Sequence, residues 1–302
     1  MRVTVVYLLA VIIIIDWMND SSKRQLIVNA DDFGFSLGIS EGIVQAHREG
    51  IVSSTTVAAN MPAAEDSLAL LADAPELGVG VHLNVSQGPV LSEAGRRLLG
   101  DGDEMNFTAH GIIRACALHP SLLDAVEAEC EAQIQWLLGH GFTPTHLDSH
   151  RHAHGYWPIF RRVVKLAKRY TIPFVRRHRE RLPGSDWPKP AKKQKRTQRI
   201  LNLLGALQPM LGGELIATTG TWGVAHTGDY DAAWLEKVIQ RLPAGVTELM
   251  THPGKACDLP NETSRLRESR LAELQALCDD GVRQALNEES IELIHYGQLQ
   301  NT

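Results

Sequence analysis

Short apolar runs alternate with amphipathic segments along most of the chain after residue 24. The apolar or β-branched runs predict strands, and the segments between them carry apolar residues at helical spacing. Gly50 and Gly139 stand where two of the predicted helices should end. The predicted strands cover residues 25–30, 53–59, 78–85, 143–149, 172–176, 214–219, 246–250 and 291–295. The predicted helices cover residues 39–47, 63–72, 121–138, 159–169, 197–207, 232–242 and 264–278.

Strands that alternate with helices form βαβ units, and such units build a largely parallel sheet. Seven or eight units favour a single α/β domain, built as a closed or nearly closed (β/α) barrel with catalytic residues at the C-terminal ends of its strands. An open doubly wound sheet is the alternative. We assign residues 25–302 to this domain and expect an exposed, Pro- and Lys-rich insertion near residues 183–198.

The first 24 residues do not fit this pattern. Residues 3–15 are almost continuously apolar, but as a helix they would span roughly 20 Å, less than the roughly 30 Å of a bilayer's hydrocarbon core. No small-residue cleavage site of a signal peptide follows. We therefore interpret residues 1–24 as an apolar tail or as a misassigned start, with Met18 as the true initiator. A cytoplasmic protein without a stable membrane span is expected, with membrane association or export as the alternative.

Composition and missing motifs exclude several classes of function. The formal net charge of −5 gives no reason to expect a nucleic-acid partner. The four cysteines have no CxxC spacing, which favours reduced thiols over disulfides or a zinc–thiolate site. The sequence contains neither a GxSxG elbow nor a P-loop, so covalent serine catalysis and nucleotide hydrolysis lack support.

Titratable residues follow the predicted strands at their carboxyl ends, the edge at which parallel α/β proteins bind ligands. The first strand runs into Asp31 and Asp32, the third contains His82, and later strands lead to Arg176 and His252. Adjacent carboxylates repel one another unless a cation or a shared proton compensates. Taken singly, the two aspartates could also form an ordinary turn, and His82 could be a core histidine.

The fourth strand continues into a histidine-rich run. His146, Asp148, His150, His152 and His154 occupy every second position, and in an extended chain they would lie on one face. Five titratable groups would be costly as part of a core, so the run predicts a metal or proton-transfer site. One aspartate with two histidines is typical of a catalytic metal site; it suits Zn²⁺ and accepts Mn²⁺, Mg²⁺, Co²⁺ or Ni²⁺.

The sequence resembles the YdjC-like family of carbohydrate deacetylases, which includes the chitooligosaccharide (chitin disaccharide) deacetylases. The motifs that carry the resemblance are LIVNADDFG (26–34), GVGVHLN (78–84), PTHLDSHRHAH (144–154) and ELMTHPG (248–254). The resemblance implies a TIM-like barrel, a divalent metal and hydrolysis of N-acetyl groups, which are linear amides but not peptide bonds. It also implies a homodimer, although no residue pattern identifies an interface.

Carried over to the matching positions, the resemblance implies that Asp32, His82 and His150 bind the metal. His146 and His152 are the alternatives for the third ligand. We expect Mg²⁺ as the ion, with Zn²⁺ or Mn²⁺ as alternatives.

The same resemblance implies catalytic roles. Asp31 resembles the catalytic base and His252 the general acid, while Arg176 would steady Asp31 or contact sugar hydroxyls. Asp148 would hold the tautomer of a histidine ligand. Family members often have Pro-Arg-Glu shortly after the equivalent of Arg176, whereas this chain has His178-Arg179-Glu180. The contacts on the substrate side are therefore open.

We predict a metal-dependent hydrolase that removes N-acetyl groups from amino sugars or acetylated oligosaccharides. The alternatives are a metal-dependent phosphoesterase and a non-catalytic sugar-binding protein on the same scaffold. A phosphoesterase would need more cationic groups around the metal, and binding alone would require neither Asp31 nor His252. The expected partner is an acetylated amino sugar.

Overall fold

The computed structural model describes residues 23–181, 189–255, 258–259 and 264–299. Nearly all of the N-terminal apolar segment, including Met18, lies outside the described residues, as do residues 182–188 of the predicted insertion. Within the described part, no helix is both long enough and apolar enough to cross a membrane.

The strands of the described residues form one large sheet and one small one. In chain order they are β1 (Arg24–Phe33), β2 (Ser54–Val57), β3 (Gly78–Leu83), β4 (Gly100–Asp101), β5 (Glu104–Met105), β6 (His146–Ser149), β7 (Phe174–Val175), β8 (Gly220–Trp222), β9 (Gly245–Thr251) and β10 (Glu292–Leu293). β4 and β5 pair with each other in antiparallel fashion. The others form a parallel sheet in the order β7–β6–β3–β2–β1–β9–β8, with β10 paired to the start of β1.

Helices follow most of the strands. They are α1 (Leu37–Arg48), α2 (Ala64–Leu68), α3 (Glu93–Leu98), α4 (Ala109–Leu118), α5 (Leu122–Gly139), α6 (Trp157–Arg169), α7 (Lys192–Gly205), α8 (Gln208–Gly212), α9 (Ala232–Gln240), α10 (Glu268–Leu277) and α11 (Asp280–Glu288). Side-chain caps begin several of them: Ser36 accepts the backbone N–H of Ile39 before α1, and Asp231 accepts that of Trp234 before α9.

β1 lies in the middle of the sheet and positions the site. It pairs with β2 from Asn29 onward and with β9 over Arg24–Ala30. The side chains of Leu26, Ile27 and Val28 are completely buried, as expected for a strand that is covered on both faces. The polar residues that follow this apolar run are therefore held at the carboxyl edge of the sheet.

The sheet is an open half-barrel, so of the predicted closed or nearly closed (β/α) barrel the full closure is wrong. Among the described residues, no backbone pairing joins the edge strands β7 and β8, which contain only two and three residues. Hydrogen bonds from side chains to backbone carbonyls link the segments next to β7 and β8 instead. The hydroxyl of Thr221 donates to the carbonyl of Arg177 at 2.8 Å, and the guanidinium of Arg177 donates to the carbonyl of Thr218 at 3.3 Å. The α/β class with parallel strands is confirmed.

Residues 214–219 and the predicted insertion also differ from the prediction, and α3, α4, α8, α11, β4 and β5 were not predicted. Residues 214–219 do not form a strand: Gly213–Leu215 is a 3-10 helix and the strand begins at Gly220. A Cβ atom on Gly220 would lie 1.9 Å from the carbonyl oxygen of Arg179, so only glycine allows this close approach. α7 begins at Lys192, so the second half of the predicted insertion is helical, with most of its residues exposed.

Candidate metal and catalytic site

Five strands of the parallel sheet bring titratable side chains to its carboxyl edge. The contributing strands are β1, β3, β6, β7 and β9. The side chains are Asp31, Asp32, His82, Asp148, His150, Arg176, Glu248 and His252, and all but the partly exposed His150 are buried. Buried charged groups are retained only where they are paired or bind an ion, so this edge is the candidate functional site.

The histidine-rich run does not stay extended, and the prediction that its five members share one face is wrong. β6 ends at Ser149, and residues 150–155 form a 3-10 turn in which Arg151 and His152 have φ angles of 51° and 60°. This turn leads the chain from β6 into α6, which begins at Trp157. His146 and Asp148 share a face of β6, whereas the residues after His150 are directed elsewhere.

Asp32, His82 and His150 present their polar atoms to a common point. Asp32 Oδ1 lies 3.3 Å from His82 Nε2 and 3.2 Å from His150 Nδ1, and the three candidate ligand atoms all lie within 4.8 Å of one another. Successive side chains of a regular strand point to opposite faces. Here the register of β1 shifts after Ala30, and Asp32 has a φ of 72°. This irregularity lets Asp31 and Asp32 reach the same site.

The contacts of His82 indicate that the cluster suits a cation. Its Nδ1 lies 2.7 Å from Asp148 Oδ1 and therefore carries the proton that the carboxylate accepts. A neutral His82 then directs the lone pair of Nε2 at the Asp32 carboxylate, which is repulsive unless a proton or a metal ion lies between them. Burial alone would lower the pKa of His82, but Asp148 and Asp32 raise it to about 10.

A divalent metal fits these residues. His82 Nε2 and His150 Nδ1 both face Asp32 Oδ1, and two imidazole nitrogens with a carboxylate oxygen are a donor set that divalent ions accept. A histidine ligand whose other nitrogen donates to a carboxylate, as His82 does to Asp148, is the usual arrangement at metal sites. The buried Asp–His–His cluster is therefore able to bind a divalent ion.

The two alternative third ligands lie outside this cluster. His146 Nε2 is 3.1 Å from Asn29 Oδ1, and its ring stacks on Tyr296 with the ring centroids 3.9 Å apart. His152 Nδ1 lies 3.2 Å from His178 Nε2. Neither His146 nor His152 belongs to a group of described residues whose candidate ligand atoms converge.

Arg176 is completely buried and contacts three carboxylates. Its Nη1 and Nη2 donate to Asp31 at 2.8 and 2.7 Å, Nη1 lies 2.7 Å from Asp148 Oδ2, and Nε and Nη2 lie 2.8 and 2.7 Å from Glu248 Oε1. The planar guanidinium fork suits such shared recognition. Burial alone would raise the pKa of Asp31, but Arg176 holds it well below the usual range. Asp31 is therefore ionised and has one fixed orientation.

His252 follows β9 and is held in place by α10. Its backbone N–H donates to Glu273 Oε2 at 2.6 Å, while its Nδ1 is buried without a hydrogen-bond partner in the described part of the chain. Burial lowers the pKa of His252 to about 4 and raises that of Glu273 to about 7. His252 is therefore neutral near pH 7 and has an unused ring nitrogen.

Sequence reasoning missed Glu248, Arg270 and Glu273 as residues of the site. Glu248 lies inside the ELMTHPG motif and accepts the hydroxyl of Tyr296 at 2.8 Å. Arg270 donates to Asp32 Oδ2, and Glu273 supports His252. Arg270 and Glu273 are charged residues on the buried face of α10. Charged residues at apolar positions of an amphipathic helix were the sequence feature that could have identified them.

Fold and site together define an α/β protein with a candidate catalytic metal centre at the carboxyl edge of a parallel sheet. The chain belongs to the YdjC-like family, whose sequence model, described as YdjC-like protein, matches residues 25–288.

Two relatives agree with this assignment, and a solved structure agrees with the fold. A protein named carbohydrate deacetylase from Brevibacillus brevis is 31% identical over 276 residues, which cover 91% of this chain and 99% of that protein. One of the same name from Halalkalibacterium halodurans is 44% identical over 149 residues, which cover 49% of this chain and 62% of that protein. A putative cellobiose-phosphate cleavage protein from Enterococcus faecalis has a similar fold, with a TM-score of 0.69 at 23% identity over 91% of this chain and 98% of its own.

Proposed function

We propose that the protein is a metal-dependent deacetylase that hydrolyses the N-acetyl group of an amino sugar or an acetylated oligosaccharide. The observation that carries the proposal is the position of Asp32, His82 and His150 beside the ionised Asp31 and the neutral His252. The printed names of the two bacterial relatives support the same chemistry. Mg²⁺ is the proposed ion, with Zn²⁺ and Mn²⁺ as alternatives.

Asp32, His82 and His150 would hold the ion, which when bound lowers the pKa of water and polarises the acetamide carbonyl. Asp31 accepts the proton of the attacking water. Its carboxylate is ionised, and two hydrogen bonds from Arg176 fix its orientation. The guanidinium charge keeps Asp31 ionised and able to accept a proton, while it lowers the basicity of the carboxylate.

His252 donates a proton to the departing amine, which is a poor leaving group without it. Burial keeps His252 neutral in the free protein, whereas the negative charges of Asp31 and Asp32 favour its protonated form. The proton that Asp31 takes from water passes to His252, which is the stronger base of the two, and His252 then gives it to the amine as the C–N bond breaks. The backbone bond to Glu273 holds the residue in position for this step.

The contacts of the two buried arginines favour this reading over a phosphoesterase. Arg176 binds three carboxylates and Arg270 contacts Asp32, so each charge already has a carboxylate partner, although Nη1 of Arg270 makes no hydrogen bond among the described residues. A phosphate monoester would require cations that are free to bind its charge.

The test is acetate release from N,N′-diacetylchitobiose by the full chain, with Mg²⁺, Mn²⁺ or Zn²⁺ added and with a chelator as control. Asp31→Asn should retain metal and lose about 10²- to 10⁴-fold in kcat, the usual contribution of a general base. Asp103→Asn removes a carboxylate whose side chain is 86% exposed and should leave the rate unchanged.

Other outcomes contradict the proposal. Release of phosphate from p-nitrophenyl phosphate without acetate release would favour a phosphoesterase. Binding of the acetylated sugar without turnover would favour a sugar-binding protein. A single domain over residues 25–302, a cytoplasmic location and a homodimer stay predictions; limited proteolysis, cell fractionation and light scattering test them in turn.

A further inference from the structure

A second group of histidines, with no role in the reaction proposed above, lies beside the site. It contains His152, His154 and His178, with Gln208 from α8 against it. The ring centroids of His152 and His178 are 5.0 Å apart and those of His154 and His178 are 4.3 Å apart. His154 and His178 are buried, whereas His152 is partly exposed. Burial holds the pKa of His178 well below its usual range, so its ring is neutral.

Gln208 determines which nitrogen of His178 carries the proton. The backbone N–H of His178 donates to Gln208 Oε1 at 2.7 Å, so this amide atom must be the oxygen. The amide nitrogen of Gln208 then lies 3.4 Å from His178 Nδ1 and can only donate. Nδ1 therefore accepts, and the single proton of the neutral ring is on Nε2.

His178 in turn determines the tautomer of His152. The Nε2–H of His178 lies 3.2 Å from His152 Nδ1, which must accept it. The proton of His152 is consequently on Nε2. This Nε2 makes no hydrogen bond to a residue in the described ranges, and it is not fully buried, so it can reach a ligand. His152 follows the proposed ligand His150 by two residues, and its partner His178 follows Arg176 by two, so the group lies beside the site.

His154 fixes the other side of His178. Its Nε2 lies 3.3 Å from the carbonyl oxygen of Arg176 and therefore donates to it, and its Nδ1 accepts the hydroxyl of Ser149. The same hydroxyl oxygen accepts the backbone N–H of His154 at 3.0 Å. His178 is thus held between a locked histidine and Gln208.

We propose that Gln208, His178 and His152 form a hydrogen-bonded chain that presents the Nε2–H of His152 to the substrate, where it binds an acceptor oxygen of the sugar. His152 is then a substrate-binding residue, and His178 and Gln208 are positioning residues that fix its tautomer and ring orientation. The ligand is a hydroxyl or ring oxygen next to the acetamide, and this part of the inference rests on the proposed deacetylase function.

The first test reads the tautomer directly and needs no activity. The full chain is labelled with ¹⁵N-histidine, and two-bond ¹H–¹⁵N correlations show which nitrogen carries the proton. His152→Gln identifies the His152 signals by their loss. A proton on Nε2 of both His152 and His178 supports the inference, whereas a proton on Nδ1 of His152 overturns it.

The second test compares two replacements of equal length. His178→Gln keeps an N–H that can donate to His152, and His178→Met does not. We expect His178→Met to lower kcat/KM about tenfold through KM, the effect of one lost neutral hydrogen bond. His178→Gln should stay within about threefold of the wild type. Equal losses in the two variants, or an effect on kcat with KM unchanged, would overturn the inference. Metal content and thermal unfolding, measured in parallel, show whether either variant is misfolded.

Failure of the proposed function gives a different result from failure of this inference. If the wild type releases no acetate with any metal, the deacetylase proposal fails, and the histidine spectrum still decides between the two tautomers. If the wild type is active and His152 carries its proton on Nδ1, the deacetylase proposal stands and the donor chain is refuted.

Discussion

Replacing Arg176 by lysine tests whether the guanidinium geometry, rather than its charge, holds the site together. Arg176 makes five contacts with Asp31, Asp148 and Glu248. A lysine keeps the charge but has three hydrogens on one nitrogen, so at least two of these contacts are lost. A hydrogen bond to a charged group contributes about 1.5–3 kcal/mol. The expected loss is therefore about 3–6 kcal/mol, which overlaps the roughly 3–5 kcal/mol measured for broken buried ion pairs.

The assay is urea unfolding followed by circular dichroism at neutral pH, with chelator present so that metal binding does not contribute. Arg162→Lys is the matched control. Arg162 also contacts two carboxylates, Asp124 and Glu127, but its side chain is 31% exposed, and exposed pairs contribute less than about 1 kcal/mol. A loss below about 1 kcal/mol for Arg176→Lys would refute the reasoning, because charge alone would then suffice.

Three further predictions follow from the site and its surroundings. Asp32→Ala and His150→Ala should each lose bound metal in elemental analysis, and full occupancy in either variant would contradict the ligand assignment. Burial raises the pKa of Glu180 from 4.5 to about 7, so its stabilising contribution is complete below about pH 4.5 and is lost as the pH rises through 7. Glu180→Gln should escape this loss, so the unfolding free energies of variant and wild type should diverge by on the order of 3 kcal/mol over that range; parallel curves would disprove the shift. Gly223→Ala should destabilise by roughly 3 kcal/mol, because φ is +107° and a Cβ would lie 2.0 Å from a tyrosine hydroxyl. Gly102→Ala, with a φ of +66° and nothing within 4 Å, should cost only about 1 kcal/mol in thermal unfolding, and similar losses in both would show that the steric contact is harmless.

The sequence pattern predicted most of the strands because buried parallel strands are continuous apolar runs. Residues 26–28 are such a run, and residues 78–85 and 246–250 are rich in apolar residues; β1, β3 and β9 are found there. Barrel closure could not be predicted in this way. It depends on whether β7 and β8 pair with each other, and that is decided by strand length and by the close approach at Gly220.

The site was predictable where function requires a residue type at a strand end. Strand-end position indicated Asp32, His82 and the histidine-rich run, and the family resemblance implied His150 as the third ligand. The structure brings Asp32, His82 and His150 together. The histidine alternation failed because it assumed an extended chain beyond Ser149, whereas local backbone geometry turns the chain. Arg270 reaches the site from a helix 238 residues away from Asp32 in the sequence, and no local pattern encodes such a contact.

The central place of β1 has a consequence for how the protein is made. On a ribosome, β1 emerges early, but its neighbour β9 follows much later, since Arg24 pairs with Gly245. Until then, one side of an apolar strand has unpaired backbone groups, the feature that promotes intermolecular strand pairing. Topologies dominated by such distant pairings fold slowly. The nascent chain therefore depends on protection from other chains, by a chaperone or by dilution, until β9 has been synthesised.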